Sequence, residues 1–327
     1  MTNSNRRFAW IKTLFSASVF SEPGRVGAGG RGIRKAAARP VALALAACAL
    51  WTPQAAAADD PEIRLVTLAP HLTELVYAAG AAERLVGVVE WSDYPQDARE
   101  LPRIGDAFRF DLEAVLRLEA THALVWQGGT PAAAIERLES LGIAVKRVET
   151  RGLEDIGTAI EAIGEWLGRA DGAGQAAGEY RKRLARMRES AQPGAAGIPA
   201  TVFYQVSERP LYTLGGRHVI NEVFALCGAR NLFGHLDTEA TVVALEAILV
   251  ADPDAIVAGR DTAAGDPFRR WRRHDGLRAV RCEHLLTVDP ELLVRPTPRI
   301  LDGAKRLCAW LDDLRQATDP ACEIDRE

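Results

Sequence analysis

Histidine, cysteine and serine supply much of enzyme chemistry, and in this sequence their spacing matches no catalytic motif. The six histidines form no HExxH pair, and no two cysteines follow a CxxC spacing. The chain also contains no GxSxG nucleophile elbow and no phosphate-binding P-loop. We therefore predict a protein that is not an enzyme and that has no metal site or cofactor of its own.

Two glutamates recur in a repeated motif, which indicates an internal duplication. Leu112–Leu116 reads Leu-Glu-Ala-Val-Leu, and Leu245–Leu249 reads Leu-Glu-Ala-Ile-Leu, at an offset of 133 residues. Each pentapeptide precedes an apolar run that is typical of a buried strand. The sequence therefore predicts two similar lobes, with Glu113 in the first and Glu246 in the second.

Short apolar strands alternate with amphipathic helices in both halves, a pattern typical of a parallel sheet covered by helices. We predict strands at 63–68, 85–90, 122–126, 143–148, 200–206, 255–258 and 285–288. The run 171–190 has Tyr180, Leu184 and Met187 at helical spacing, enough for a helix of about 30 Å. The predicted fold is α/β: two similar lobes with mainly parallel sheets, joined by a single long helix, with a ligand cleft between them.

The predicted segments are a processing segment (1–58), an N-terminal α/β lobe (59–150), a connecting helical segment (151–192), a C-terminal α/β lobe (193–318) and a tail (319–327). Residues 1–58 include eight Lys or Arg, one acidic residue, an apolar run at 41–51 and four alanines at 55–58. This composition is typical of a secretory signal peptide, so we predict a periplasmic protein. The run 45–48 resembles a lipobox, and a lipid anchor on Cys48 is the alternative.

The remainder of the chain bears on partners and on disulfides. Four cysteines follow the processing segment, and an even number in an oxidising compartment favours disulfides.

An exported chain with a net charge of −4 argues against nucleic-acid binding. We interpret the basic run Arg269–Arg273 as a solvated helix anchored by Trp271. We expect the protein to act as a monomer.

Seven motifs follow in order between residues 62 and 316: SDYP at 92–95, DLE at 111–113, WQGG at 126–129, SLGI at 140–143, CG at 227–228 with NLF at 231–233, DPDAIV at 252–257 and RPTPRI at 295–300. By these motifs the chain resembles the helical-backbone class of periplasmic solute-binding proteins of ABC importers, and within it the members that bind vitamin B12. The resemblance implies that the protein captures a corrinoid in the interlobe cleft and delivers it to the membrane subunits of an importer.

A corrinoid is a flat, largely apolar macrocycle edged with amides, so its pocket needs aromatic walls and a few polar groups. The resemblance places ring-contacting aromatics at Tyr94 and Trp126. The further candidates for ligand contact are Phe108, Tyr204, Tyr212, Glu291 and Arg295. Arg295 has two other interpretations, a bond to Glu291 or a cap on the last helix.

The resemblance also bears on ligand choice and on docking. The members that bind vitamin B12 carry tryptophans near Ala107 and Ala240, where this chain has small residues, so the choice among corrinoids and other macrocycles is left open. Glu113 and Glu246 correspond to surface glutamates that dock onto importer arginines. Carboxylate–guanidinium pairs are directional and salt-screened, which suits reversible docking.

Further implications concern the cysteines and the alternative functions. The resemblance implies a disulfide between Cys227 and Cys308, whereas the pairing of Cys282 with Cys322 is left open. The alternatives in function are a haem- or ferric-siderophore-binding protein of the same fold and, from another class, a periplasmic enzyme.

Overall fold

The computed structural model describes residues 63–107, 109–190, 199–260, 265–316 and 322. The predicted processing segment, most of the predicted tail and Phe108 lie outside the described residues. Within the described ranges, no helix combines the length and the apolar character needed to cross a membrane.

The N-terminal lobe is built on a parallel four-stranded sheet in the order β2–β1–β3–β4. The strands are β1 Leu65–Thr67, β2 Leu85–Val88, β3 His122–Trp126 and β4 Ala144–Val148. The helices are α1 Pro70–Ala78, α2 Leu112–Arg117 and α3 Ala132–Ser140. Helix α1 starts at a proline, whose missing N–H is tolerated in a first turn. Helix α2 is capped by Asp111, whose Oδ1 accepts hydrogen bonds from the backbone N–H groups of Glu113 and Ala114.

Two helices connect the lobes, α4 Leu153–Trp166 and α5 Ala170–Ser190. Helix α5 has 21 residues and buries Ala173, Ala177, Tyr180 and Leu184, which share one helical face. The hydroxyl of Tyr180 donates to the backbone carbonyl of Leu153 at 2.8 Å and so fixes α5 against the start of α4. One apolar core runs from the first sheet through both helices into the second lobe.

The C-terminal lobe contains a parallel sheet in the order β11–β10–β5–β8 and an antiparallel sheet in the order β6–β7–β9. Its strands are β5 Ala200–Gln205, β6 Ser207–Glu208, β7 Leu211–Leu214, β8 Ala229–Asn231, β9 Ala240–Val242, β10 Ala255–Gly259 and β11 Leu285–Val288. Its helices are α6 Ile220–Leu226, α7 Leu245–Ala251, α8 Arg278–Arg281, α9 Pro290–Leu293 and α10 Ile300–Arg315. The predicted α/β fold with two lobes is confirmed.

The predicted helix over the basic run Arg269–Arg273 is wrong. Residues Trp271–Arg273 form a single tight turn, and the four-residue helix α8 follows. Gly276 between these two pieces weakens helix formation. Trp271 itself is completely buried, so its predicted role as an anchor is confirmed.

Two disulfides staple the C-terminal lobe. The predicted Cys227–Cys308 bond is confirmed and joins the end of α6 to α10, with the Cα atoms 4.6 Å apart. A second bond joins Cys282, at the end of α8, to Cys322.

Candidate functional site

The carboxyl ends of the two parallel sheets face each other across the lobe boundary. Arg295 and Arg299 follow β11 of the C-terminal lobe, and both guanidinium groups bond to Glu74, which follows β1 of the N-terminal lobe. Ligands of open parallel sheets bind beyond the carboxyl ends of the strands. The space between the lobes at this edge is therefore the candidate site.

Arg295 joins the two lobes from a position that is only 1% exposed. Its Nη1 donates to Glu74 Oε1 at 3.1 Å and to Asp93 Oδ1 at 3.2 Å. Its Nη2 donates to the backbone carbonyl of Trp91 and to Glu291 Oε1, both at 3.2 Å. Three of these four acceptors belong to the N-terminal lobe. A buried cation is tolerated only when carboxylates and hydrogen-bond acceptors surround it. Because most of these groups come from the other lobe, Arg295 links the two lobes.

Arg299 extends this network toward solvent. Its Nε and Nη2 donate to the two carboxylate oxygens of Glu74 at 2.9 and 2.7 Å. Burial by itself lowers the pKa of Arg299, but the hydrogen bond to Glu74 and the charges of Glu74, Glu291 and Tyr94 together raise it. The guanidinium carbon of Arg299 lies 3.7 Å from the centre of the Tyr94 ring, a cation–π contact. The network therefore holds one face of an aromatic ring that is 44% exposed.

Trp126 lies at the carboxyl end of β3 and is partly buried. Its indole packs over the glycines of the WQGG motif, and a Cβ atom on Gly129 would lie 1.8 Å from the indole Cε3. Any larger residue at Gly129 would displace the indole. On another side the imidazole of His71 meets the indole edge-on, with ring centres 5.5 Å apart. The motif and His71 together set the orientation of Trp126.

His71 is a neutral group beside the charged network. It is 4% exposed, and burial, followed by the positive charge of Arg295, lowers the pKa of His71 to about 3. Its Nε2 has no hydrogen-bond partner among the described residues. The imidazole is therefore uncharged at neutral pH and adds no cation to the site.

The lobes also approach each other on the other side of the site. Burial raises the pKa of Glu239, which precedes β9, to about 7. The charges of Arg151 and Arg217 oppose this effect, whereas Glu149 adds to it. Glu149 and Arg151 follow β4 of the N-terminal lobe, so these charges act across the lobe boundary. Glu239 is thus a carboxyl group that titrates near neutral pH.

Residues 65–292 match the family model for periplasmic binding proteins. The chain belongs to the periplasmic binding protein family. It is 34% identical over 261 residues to the vitamin B12-binding protein of Vibrio cholerae serotype O1 (strain ATCC 39541 / Classical Ogawa 395 / O395), which covers 80% of this chain and 93% of the relative. The resemblance predicted from the motifs is confirmed.

Solved structures of this family superpose on the chain. The crystal structure of the periplasmic vitamin B12-binding protein BtuF of Vibrio cholerae matches with a TM-score of 0.71 at 34% identity, covering 78% of this chain and 98% of that one. A periplasmic haem-binding protein from Pseudomonas aeruginosa matches with a TM-score of 0.64 at 29% identity, covering 75% of this chain and 91% of that one.

In this periplasmic binding protein three of the predicted ligand contacts lie together. Tyr94, Glu291 and Arg295 meet in the arginine network. Of the two other interpretations of Arg295, the bond to Glu291 is confirmed at 3.2 Å. The cap on the last helix is wrong, because no side chain among the described residues caps the start of α10. Tyr212 is partly buried on β7. Tyr204 differs from expectation, because it is 1% exposed and packs in the apolar core. Every residue of β5 is buried, so alternation along this strand could not show which side chains reach the site.

The two glutamates of the repeated motif are exposed in the first turns of α2 and α7. Both helices run back from the carboxyl edge of a sheet to the start of the next parallel strand. Glu113 and Glu246 therefore lie on the edge that borders the candidate site, one on each lobe.

Sequence reasoning missed Glu74, Asp93 and Arg299. Their partners are more than 200 residues away along the chain, so no local spacing could reveal the network. One usable signal was present: Arg299 follows Arg295 within the motif RPTPRI, so two cations fall four residues apart next to a predicted strand end.

Proposed function

We propose that this periplasmic binding protein captures a corrinoid between its lobes and delivers it to an ABC importer. The observation that carries the proposal is that two aromatic side chains, the exposed Tyr94 and the partly buried Trp126, lie at or after the ends of strands at the carboxyl edge of the first sheet. The relatives named vitamin B12-binding proteins support this ligand class.

In this proposal the two aromatic side chains contact the faces of the macrocycle. The exposed Tyr94 ring is held by Arg299, and the Trp126 indole is held by Gly129 and His71. Rings that are fixed before binding lose little conformational entropy when the ligand arrives. Polar groups at the border of the site, such as Glu291, would meet the amides at the macrocycle edge.

Arg295 has a different role in this proposal from the direct ligand contact expected from the sequence. Its guanidinium already donates to four acceptors and is shielded from solvent. A ligand amide that displaced Asp93 or Glu291 from Arg295 would separate a half-buried carboxylate from this cation. Arg295 therefore sets the spacing of the two lobes, and Tyr94 and Trp126 contact the ligand.

The test is ligand binding by the mature protein. Cyanocobalamin should remain bound after removal of free ligand and quench tryptophan fluorescence with one-to-one saturation. Trp126→Ala removes an aromatic wall and should weaken binding roughly 30-fold, since a central aromatic contact contributes about 2 kcal/mol.

Trp166→Ala is the matched control, because Trp166, the last residue of α4, packs against His122, which lies at the opposite end of β3 from Trp126. It should leave the affinity unchanged. Retention of haem instead of cyanocobalamin would replace the corrinoid with another macrocycle, and turnover of a substrate would replace binding with catalysis.

Delivery is proposed to use Glu113 and Glu246 as docking groups for cationic side chains of the importer. The double variant Glu113→Ala/Glu246→Ala should bind cyanocobalamin normally but fail to support its uptake. Glu136→Ala removes another exposed carboxylate, from the middle of α3, and serves as the control. Normal uptake with the double variant would refute the docking role.

A further inference from the structure

A pocket rich in arginine lies beside the hairpin that follows β5. Its cavity volume is about 300 Å³, and its lining consists of Glu208, Arg209, Arg269, Arg270 and Arg273. Glu208 and Arg209 belong to the β6–β7 hairpin, and the other three arginines belong to the segment before α8. Neither the ligand contacts nor the docking glutamates proposed above include any of these residues.

The arginine segment is fixed to the lobe by its central tryptophan. Trp271 is completely buried, its ring lies edge-on to Phe203 at 5.5 Å, and its Nε1 donates to Gln205 Oε1 at 2.5 Å. Gln205 in turn donates to the backbone carbonyl of Pro267 at 3.1 Å. With the indole directed inward, the neighbouring arginines are held on the surface, so their grouping is imposed by the fold.

The charges in this pocket are poorly balanced. Four guanidinium groups face one carboxylate, Glu208, among the described residues, and Glu208 approaches only Arg209, at 3.8 Å. Arg270 donates to the backbone carbonyl of Glu208 at 3.3 Å. Arg269 and Arg273 form no ion pair within the part of the chain that the structure describes. Such a group of like charges is stabilised by an anion, and the planar guanidinium matches the oxygens of a phosphate.

We propose that this arginine pocket binds a phosphate group. It lies at the carboxyl edge of the second parallel sheet, because its hairpin follows β5 directly, and this is the edge from which Arg295 reaches the N-terminal lobe. The pocket can therefore take free phosphate or the phosphodiester that complete corrinoids carry on their nucleotide loop. The phosphate site itself does not depend on the function proposed above.

The first experiment is calorimetric titration of the mature protein with inorganic phosphate at low salt. We expect saturable one-to-one binding that Arg269→Gln/Arg273→Gln weakens at least tenfold. Arg272→Gln is the matched control, because Arg272 belongs to the same segment but pairs with Asp266 at 3.3 Å and does not line the pocket. It should bind phosphate like the unmodified protein.

The second experiment separates the two sources of phosphate. Cyanocobalamin carries the phosphodiester, and dicyanocobinamide lacks the nucleotide loop. If the pocket contacts the phosphodiester of a bound corrinoid, Arg269→Gln/Arg273→Gln weakens the binding of cyanocobalamin several-fold and leaves the binding of dicyanocobinamide unchanged. If both corrinoids bind unchanged while inorganic phosphate is lost, the pocket serves free phosphate.

The absence of saturable phosphate binding, or an equal loss in Arg272→Gln, would overturn the inference. Failure of both corrinoids to bind would refute the proposed function and leave the phosphate titration as it stands.

Discussion

The loss of Arg295 should weaken the contact between the lobes more than any other single change in the network. Arg295→Met keeps much of the side-chain volume but removes the guanidinium that Glu74, Asp93 and Glu291 share. Glu74 retains its bidentate bond to Arg299, whereas Asp93 and Glu291 lose this cation. Removing one partner from a buried ionic network costs about 3–5 kcal/mol, so the free energy of unfolding should fall by that amount.

The assay is urea unfolding at pH 7, followed by circular dichroism in low and high salt. Arg181→Met is the control, because Arg181 pairs with Glu161 on the surface of the connecting helices, where both side chains are 37% exposed. Such a pair contributes less than about 1 kcal/mol. High salt should shrink the effect of Arg181→Met and preserve that of Arg295→Met, since buried pairs are screened less.

Equal destabilisation by the two variants would refute this reasoning, as would a loss at Arg295 that disappears in high salt. Either result would mean that solvent reaches the Arg295 guanidinium and that the apolar core alone holds the lobes together.

Three further outcomes follow from the structure. Glu239 has a pKa of about 7 in the folded protein and 4.5 ordinarily, so the free energy of unfolding falls as the pH rises from 4.5 to 7. At pH 8 the variant Glu239→Gln should therefore be about 1–3 kcal/mol more stable than the unmodified protein, as measured by urea titration. His71 has the opposite effect on the pH dependence of stability: its pKa is about 3 instead of 6.5, so it contributes stability at pH 7 that is lost on acidification. Its NMR signals should show a neutral ring at pH 5, and titration near pH 6.5 would contradict its burial. Cys227→Ala/Cys308→Ala removes the disulfide between two residues that are 81 positions apart in the sequence, and it should lower the free energy of unfolding by about 2–5 kcal/mol. An unchanged urea midpoint would show that the bond adds no stability.

The strands were predictable where burial on both faces produces an uninterrupted apolar run. The strand His122–Trp126 has the predicted bounds, and Ala144–Val148 differs by one residue at its start. The antiparallel sheet was missed because Ser207–Glu208 and Ala240–Val242 are two and three residues long, too short for a periodic pattern. Short strands of this kind are fixed by their partners across the sheet.

The candidate site was predictable only in part, for a related reason. Trp126 stands next to two glycines in the sequence, so one motif contains both the ring and the residues that position it. Apart from Glu291, the hydrogen-bond acceptors of Arg295 and Arg299 come instead from segments of the other lobe. Tyr204 was placed wrongly in the ligand site for a different reason. Its strand is buried on both faces, so the presence of a tyrosine does not reveal whether the side chain points to the ligand site or into the apolar core.

The uneven distribution of cysteine has a consequence for biogenesis. Both disulfides lie in the C-terminal lobe, and residues 59–226 contain no cysteine. The first lobe can therefore reach its native state during export without any oxidant, while the second depends on thiol oxidation after its last residues emerge. Because one apolar core continues through the connecting helices, the finished first lobe offers a surface on which the second can assemble. A host that oxidises thiols slowly would accumulate chains whose first half resists proteolysis and whose second half is degraded.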